Sequence, residues 1–160
     1  MPYRPFAGQN CSIAAALAVV GERWTMLVMR EVLLGTRRFA DIRHQLGVAP
    51  NILSDRLTTL VLHDLLARRR YGRHPEAFEY VATQKGVDLT PTLVALMQWG
   101  DKHAAPAGPP RVYVHTACGH DADPQLRCGH CGAALAPSEL KVRPGPGANV
   151  LQRSEPLLPA

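Results

Sequence analysis

Ala49 to Leu60, APNILSDRLTTL, is a helix whose two faces cannot share one environment. Leu53, Leu57 and Leu60 recur at i, i+4 and i+7 and form one apolar stripe. Asn51, Ser54, Asp55 and Thr58 point away from it. Pro50 suits the first turn, where the helix has no use for a backbone donor. One face requires a hydrophobic core, and the other is short, polar and free to meet a partner.

The flanking segments supply that core. Cys11–Val20 reads as a short amphipathic helix with Ile13, Leu17 and Val20 on one side, ended by Gly21. Trp24–Leu34 is apolar nearly all round, as a helix buried on several sides would be, and Gly35 stops it. TRRF, residues 36–39, is short enough for an edge strand. Phe39–Leu46 is a third helix with Phe39, Ile42 and Leu46 inward, and Gly47 ends it. After the two-faced helix, which runs to about His63, Leu66–Tyr71 and Phe78–Val81 alternate in character around GRHPEA, a hairpin tip by its Gly and Pro. Thr83–His103 is expected as one more helix with Leu89, Leu93, Leu96 and Trp99 inward. Pro91 opens its continuous part and Thr90 is its N-cap. Helix, helix, short strand, helix, helix, strand, turn, strand is the order of a winged helix-turn-helix. The expected class is mainly α with a small β-hairpin wing (α+β), followed by a small C-terminal β domain.

In that arrangement the helix at Pro50 is the second of the helix-turn-helix, and the start of its outward face lies in a DNA major groove. Charge supports this. The chain carries a formal +5 and a pI near 9.3. Between Gly21 and His74 there are ten arginines and five acids, so this segment alone accounts for +5. The candidate DNA-contacting residues are Arg37, Arg38, Asn51, Ser54, Arg56, Thr58, Arg70, and Arg73 and His74 at the wing tip. Arg68, Arg69 and Arg70 alternate across a strand, so only part of the run can face one partner. Arg56, at the edge of the leucine stripe, can instead pair with a neighbouring acid. Trp24 and Trp99 suit a core or a dimer interface. The opening MPYRPFAGQNC lacks an apolar signal core, and no apolar run reaches the roughly 20 residues of a membrane span. A cytoplasmic address is the expectation.

Three of the four cysteines, Cys118, Cys128 and Cys131, crowd into HTACGHDADPQLRCGHCG, residues 115–132. Cys128-Gly-His-Cys131-Gly places two thiolates three apart on a tight turn. His115-Thr-Ala-Cys118-Gly repeats the frame with His in front. The pair describes a small zinc ribbon with a closed, structural site holding Zn2+ through Cys118, Cys128, Cys131 and His115. Spacing leaves His120 and His130 open as alternative fourth ligands. About thirty residues cannot build a stable core, so the metal would supply folding energy. Cys11 stands apart, at a helix start where free amides and the macrodipole favour negative charge.

The early Cys11, G-x-R-W-T at Gly21–Thr25, RRF at Arg37–Phe39, PNILSDRL at Pro50–Leu57 and W-G at Trp99–Gly100 together resemble the HxlR-type bacterial transcriptional regulators, relatives of the MarR regulators. The likeness covers roughly residues 10–104. It implies a homodimer built from the first and last helices of the domain, acting on an inverted repeat near a promoter, most often as a repressor. It also implies that Cys11 can serve as a redox sensor, as in some members; a small-molecule effector is a further expectation. The family often has Ser or Thr where this chain has Ala49, which removes an N-cap. The expected organisation is a winged helix-turn-helix DNA-binding and dimerisation domain at 1–104, a Pro-rich linker at 105–110, the zinc-ribbon-like domain at 111–143 and a disordered tail at 144–160. The alternative function is a protein-interaction adaptor of the transcription machinery. An enzyme is not expected, because a fully liganded zinc has no open position and no H-x-E spacing accompanies it.

Overall fold

In the computed structural model, residues 10–72 and 77–148 are described, together with the backbone of 155–156. Gly21 sets the entrance to the fold. Helices α1 (Ser12–Val20) and α2 (Arg23–Leu33) meet there at a bend of 77°. A Cβ at Gly21 would lie 2.4 Å from the Leu17 carbonyl oxygen, so this bend excludes a larger residue. Helices α3 (Phe39–Leu46) and α4 (Pro50–Leu62) follow. Strands β1 (Leu66–Arg70) and β2 (Phe78–Ala82) pair antiparallel, with Leu66 opposite Ala82 and Arg70 opposite Phe78. Helices α5 (Gln84–Val87) and α6 (Thr90–His103) complete the helical part.

Chain contacts divide the molecule into one unit ending at Trp99 and another beginning at Gly100. The first has a continuous core. Val28, Met29 and Val32 of α2, Ile42 of α3 and Leu53, Leu57 and Leu60 of α4 are buried together with Val48, Leu65 and Leu66. The leucine stripe read from the sequence therefore lies where its period requires, against α2. The buried acid Glu31 is satisfied locally. Arg30 donates to its Oε1 from Nε and Nη2 at 3.0 and 2.7 Å, and the Thr36 hydroxyl donates to Oε2 at 3.4 Å.

Three expectations are corrected. Residues 36–39 form no strand: Arg37 contributes one bond, its carbonyl accepting from the Tyr80 N–H at 2.8 Å, and Arg38 is already the N-cap position of α3. The stretch 83–103 is two helices. Thr83 caps α5 by accepting from the Gly86 N–H, and a new start is made at Thr90, whose hydroxyl donates to the Val87 carbonyl just before Pro91. Leu89 and Leu93 pack on the core, but Leu96 and Trp99 are 55% and 61% exposed in the single chain. On α1, Ile13 is likewise 71% exposed, and Ala14 is the buried residue.

In the second unit the cysteine segment forms two small hairpins. Val114 bridges Asp121 and Arg127 bridges Ala134. A short 3-10 turn at Pro137–Glu139 leads to β3 (Lys141–Val142), which pairs with the backbone of β4 (Glu155–Pro156). Of the two strands, β3 falls within the expected zinc-ribbon-like stretch and β4 within the stretch expected as a disordered tail; residues 149–154 and 157–160 lie outside the described residues. From Gly100 to Ala148 no residue is buried.

Candidate nucleic-acid interface

The outward face of α4 is built by the same period that buries its leucines. With Leu53, Leu57 and Leu60 fixed inward, Asn51, Ser54 and Thr58 are all solvent-exposed. None of the three donates or accepts a side-chain hydrogen bond among the described residues, whereas Thr59 spends its hydroxyl on the Asp55 carbonyl at 2.8 Å. Ala49 occupies the N-cap position without a side-chain cap, so the first amides of α4 have no side-chain acceptor from that residue.

Ion pairing sorts the arginines in a way the sequence did not reveal. Arg30 pairs with Glu31 at 2.7 Å and Arg69 with the cross-strand Glu79 at 2.6 Å. Arg56, expected among the DNA contacts, is half-buried and lies 3.7 Å from the Glu22 carboxylate, which also caps α2 by accepting from the Trp24 N–H. Its position ties α4 to the start of α2. Arg37, Arg38, Arg68 and Arg70 are exposed and form no ion pair among the described residues.

Three of these four stand over aromatic rings. The Arg38 guanidinium lies 4.5 Å from the centre of the Tyr71 ring. Arg68 and Arg70 lie 4.1 and 5.7 Å from the centre of the Phe78 ring. Such stacking holds a guanidinium in place and leaves its N–H fork available. Arg37 and Arg38 also line an open depression with Asp41, His44, Gln45 and Glu79. The backbone bond from Tyr80 to Arg37 anchors this corner to the hairpin. Sequence reasoning missed Arg68, Tyr71 and Phe78. Strand alternation, which sets Arg68 and Arg70 on one face and Arg69 on the other, was the available signal. Arg73 and His74 lie outside the described residues.

The cysteines separate into two places. Cys11 is exposed at the N-cap of α1. In the second unit the His115 Nδ1 lies 3.2 Å from the Cys118 sulfur. Gly119 returns its N–H to the His115 carbonyl, and Gly132 its N–H to the Cys128 carbonyl, each at 2.8 Å. Both glycines have positive φ, 74° and 75°, which lets these turns close. The backbone N–H of Cys131, then that of His130, and then the Cys131 thiol hydrogen-bond the Cys128 sulfur and lower its pKa, against a smaller opposing effect of burial. Among the described residues no three His, Cys, Asp or Glu side chains are gathered around one point.

A basic winged helix with an uncommitted polar face on its second turn-helix defines a DNA-binding architecture. The profile of the HxlR-like helix-turn-helix family matches residues 19–108, more than half the chain. An uncharacterised HTH-type transcriptional regulator of Mycobacterium tuberculosis, Rv3095, is 44% identical over 137 residues, 85% of this chain and 87% of its own. Among solved structures, the candidate transcription factor PA1607 aligns with a TM-score of 0.77 at 33% identity, covering 87% of this chain and 98% of that one. A second candidate transcription factor, PA1374 of Pseudomonas aeruginosa, aligns at 0.61 and 35% identity, over 88% and 96%. The chain belongs to the HxlR-like helix-turn-helix family and is a transcriptional regulator of the DNA-binding type. A match spanning 85% of the chain necessarily includes the cysteine segment, so the likeness to the mycobacterial protein is not confined to the winged helix.

Proposed function

We propose that this regulator is a cytoplasmic homodimer that represses transcription from an inverted-repeat operator, with α4 of each subunit in the major groove. The observation that carries this reading is the outward face of α4: Asn51, Ser54 and Thr58 are exposed and uncommitted on a helix whose opposite face is fixed in the core. Short polar groups at this height reach base edges. Arg37, Arg38, Arg68 and Arg70, exposed and without ion pairs among the described residues, supply the phosphate contacts that position the helix. Dimerisation draws support from the apolar surface the single chain leaves open on α1 and α6, at Ile13, Leu17, Leu96 and Trp99. Repression is carried over from the family. Cys11, exposed at the start of α1, is the candidate thiol for redox control, and a small-molecule effector belongs to the same reading.

Footprinting on the DNA upstream of its own gene tests the proposal. The expected result is protection of two half-sites about one helical turn, about 34 Å, apart. Leu96→Asp should yield a monomer by light scattering that protects neither. A single unpaired half-site would overturn the dimer on an inverted repeat, and no protection beyond that of a scrambled duplex would favour the adaptor function instead.

A further inference from the structure

The described residues of the second unit hold their shape without a hydrophobic interior. Val112, Val114 and Leu126 are all exposed, and no residue between Gly100 and Ala148 is buried. A segment of this length ordinarily needs disulfides, a metal or a partner chain when it lacks a core. All three of its cysteines are free thiols. What is ordered instead is a pair of hairpins of matching design. In the first, His115 N–H donates to His120 O at 2.9 Å and Ala122 N–H to Tyr113 O at 2.7 Å. In the second, Cys128 N–H donates to Ala133 O at 2.8 Å and Leu135 N–H to Leu126 O at 2.9 Å. Each hairpin ends in a glycine-closed turn carrying two ligand atoms, and only Asp123, Pro124 and Gln125 join them.

We propose that these two turns are the halves of one zinc site, in which Cys118, Cys128, Cys131 and His115 bind a single structural Zn2+. The His115 Nδ1 to Cys118 sulfur distance of 3.2 Å is close to the about 3.5 Å that zinc–nitrogen and zinc–sulfur bonds impose at a tetrahedral angle. In the other half, the Gly132 N–H donates to the Cys128 carbonyl at 2.8 Å and closes the turn that carries Cys128 and Cys131. His115 is chosen as the fourth ligand because its own ring nitrogen stands beside the Cys118 sulfur, whereas the His120 Nδ1 faces the Cys118 carbonyl at 2.9 Å. The metal draws the two preformed pairs onto one ion. Each of the three thiols loses its proton to solvent on binding, and no electron moves. Four protein ligands close the coordination sphere, so the site is structural and offers no position to a substrate.

The full-length protein, purified under reducing conditions without added metal, should carry one zinc per chain by elemental analysis. Replacement with Co2+ should give the intense ligand-field bands of a tetrahedral site and sulfur-to-metal charge transfer. In zinc-loaded protein Cys118, Cys128 and Cys131 should resist alkylation while Cys11 reacts, and a chelator should release all three. Amide exchange at Cys128 and Leu135 should accelerate on chelation while that of α4 stays slow. His115→Ala should weaken Co2+ binding, and His120→Ala and His130→Ala should not. A zinc ratio near zero, a Cys128–Cys131 disulfide, octahedral Co2+, or hairpin protection indifferent to the chelator would each overturn the proposal. Loss of the tetrahedral spectrum in His120→Ala or His130→Ala alone would overturn the choice of His115. None of these readouts depends on DNA binding, so the site stands or falls separately from the operator reading.

Discussion

Leu53, Leu57 and Leu60 are sealed from solvent in the winged-helix unit, whereas Val114 and Leu126 of the C-terminal unit are 55% and 70% exposed. The first unit places its side chains by packing. α4 is fixed by one face, and its other face is thereby aimed. The second unit places its side chains by backbone, through paired hairpins and glycines at positive φ. A packed scaffold can carry a recognition surface on its outside, while a turn scaffold can hold only what its own loop tips present. The two proposals divide accordingly: DNA recognition on the polar and basic surface of the first unit, metal binding at the loop tips of the second.

The contrast predicts where the chain is fragile. Leu57→Ala removes a fully buried side chain from the centre of the first core and should cost about 2–5 kcal/mol, read as a lowered thermal midpoint. The hairpin amides of the second unit should keep their exchange rates below that midpoint; a parallel loss would mean that the two units share one cooperative fold. Gly86→Ala should cost about 1–3 kcal/mol, since its Cβ would meet the Leu65 carbonyl oxygen at 2.2 Å and the Met29 methyl carbon at 3.1 Å. Arg56→Met, which keeps the aliphatic stem and removes the partner of Glu22, should change stability by no more than about 1 kcal/mol. It should also leave operator preference intact; a large loss of preference would return Arg56 to the DNA contacts. Leu126→Ala should stay within about 0.5 kcal/mol, because an exposed side chain leaves no cavity. A loss as large as that of Leu57→Ala would reveal a buried surface in the second unit that the single chain does not show.

Much of the first unit was legible because its signals are local. The 3.6-residue period of Leu53, Leu57 and Leu60 and the glycines at 21, 35 and 47 fix α1 to α4 to within a residue or so. Less legible was what distant partners decide. Arg56 and Glu22 are 34 positions apart, and Arg69 meets Glu79 only through hairpin register, so no periodicity could tell paired arginines from unpaired ones. Leu96 and Trp99 carry the apolar pattern of a buried face, but the pattern does not say that this chain's own core covers it. TRRF has strand-like composition, yet a single backbone bond at Arg37 is all the geometry leaves room for before α3 begins. In the second unit the two glycine-closed turns, at 115–119 and 128–132, were plain from spacing. Which histidine faces the Cys118 sulfur was not, because it depends on where each ring turns.

In the proposed complex the outward face of α4 reads bases while arginines around it grip phosphates. A titration of Asn51→Ala and Arg70→Ala against operator and scrambled duplexes over a salt series tests this directly. Asn51→Ala should weaken operator binding by roughly 1–3 kcal/mol and leave scrambled DNA nearly unchanged. Arg70→Ala should weaken both and reduce the salt slope by about one ion per lost contact in each subunit. If both variants bind both duplexes as the parent does, with the same salt slope, the polar face of α4 is not a DNA-reading surface.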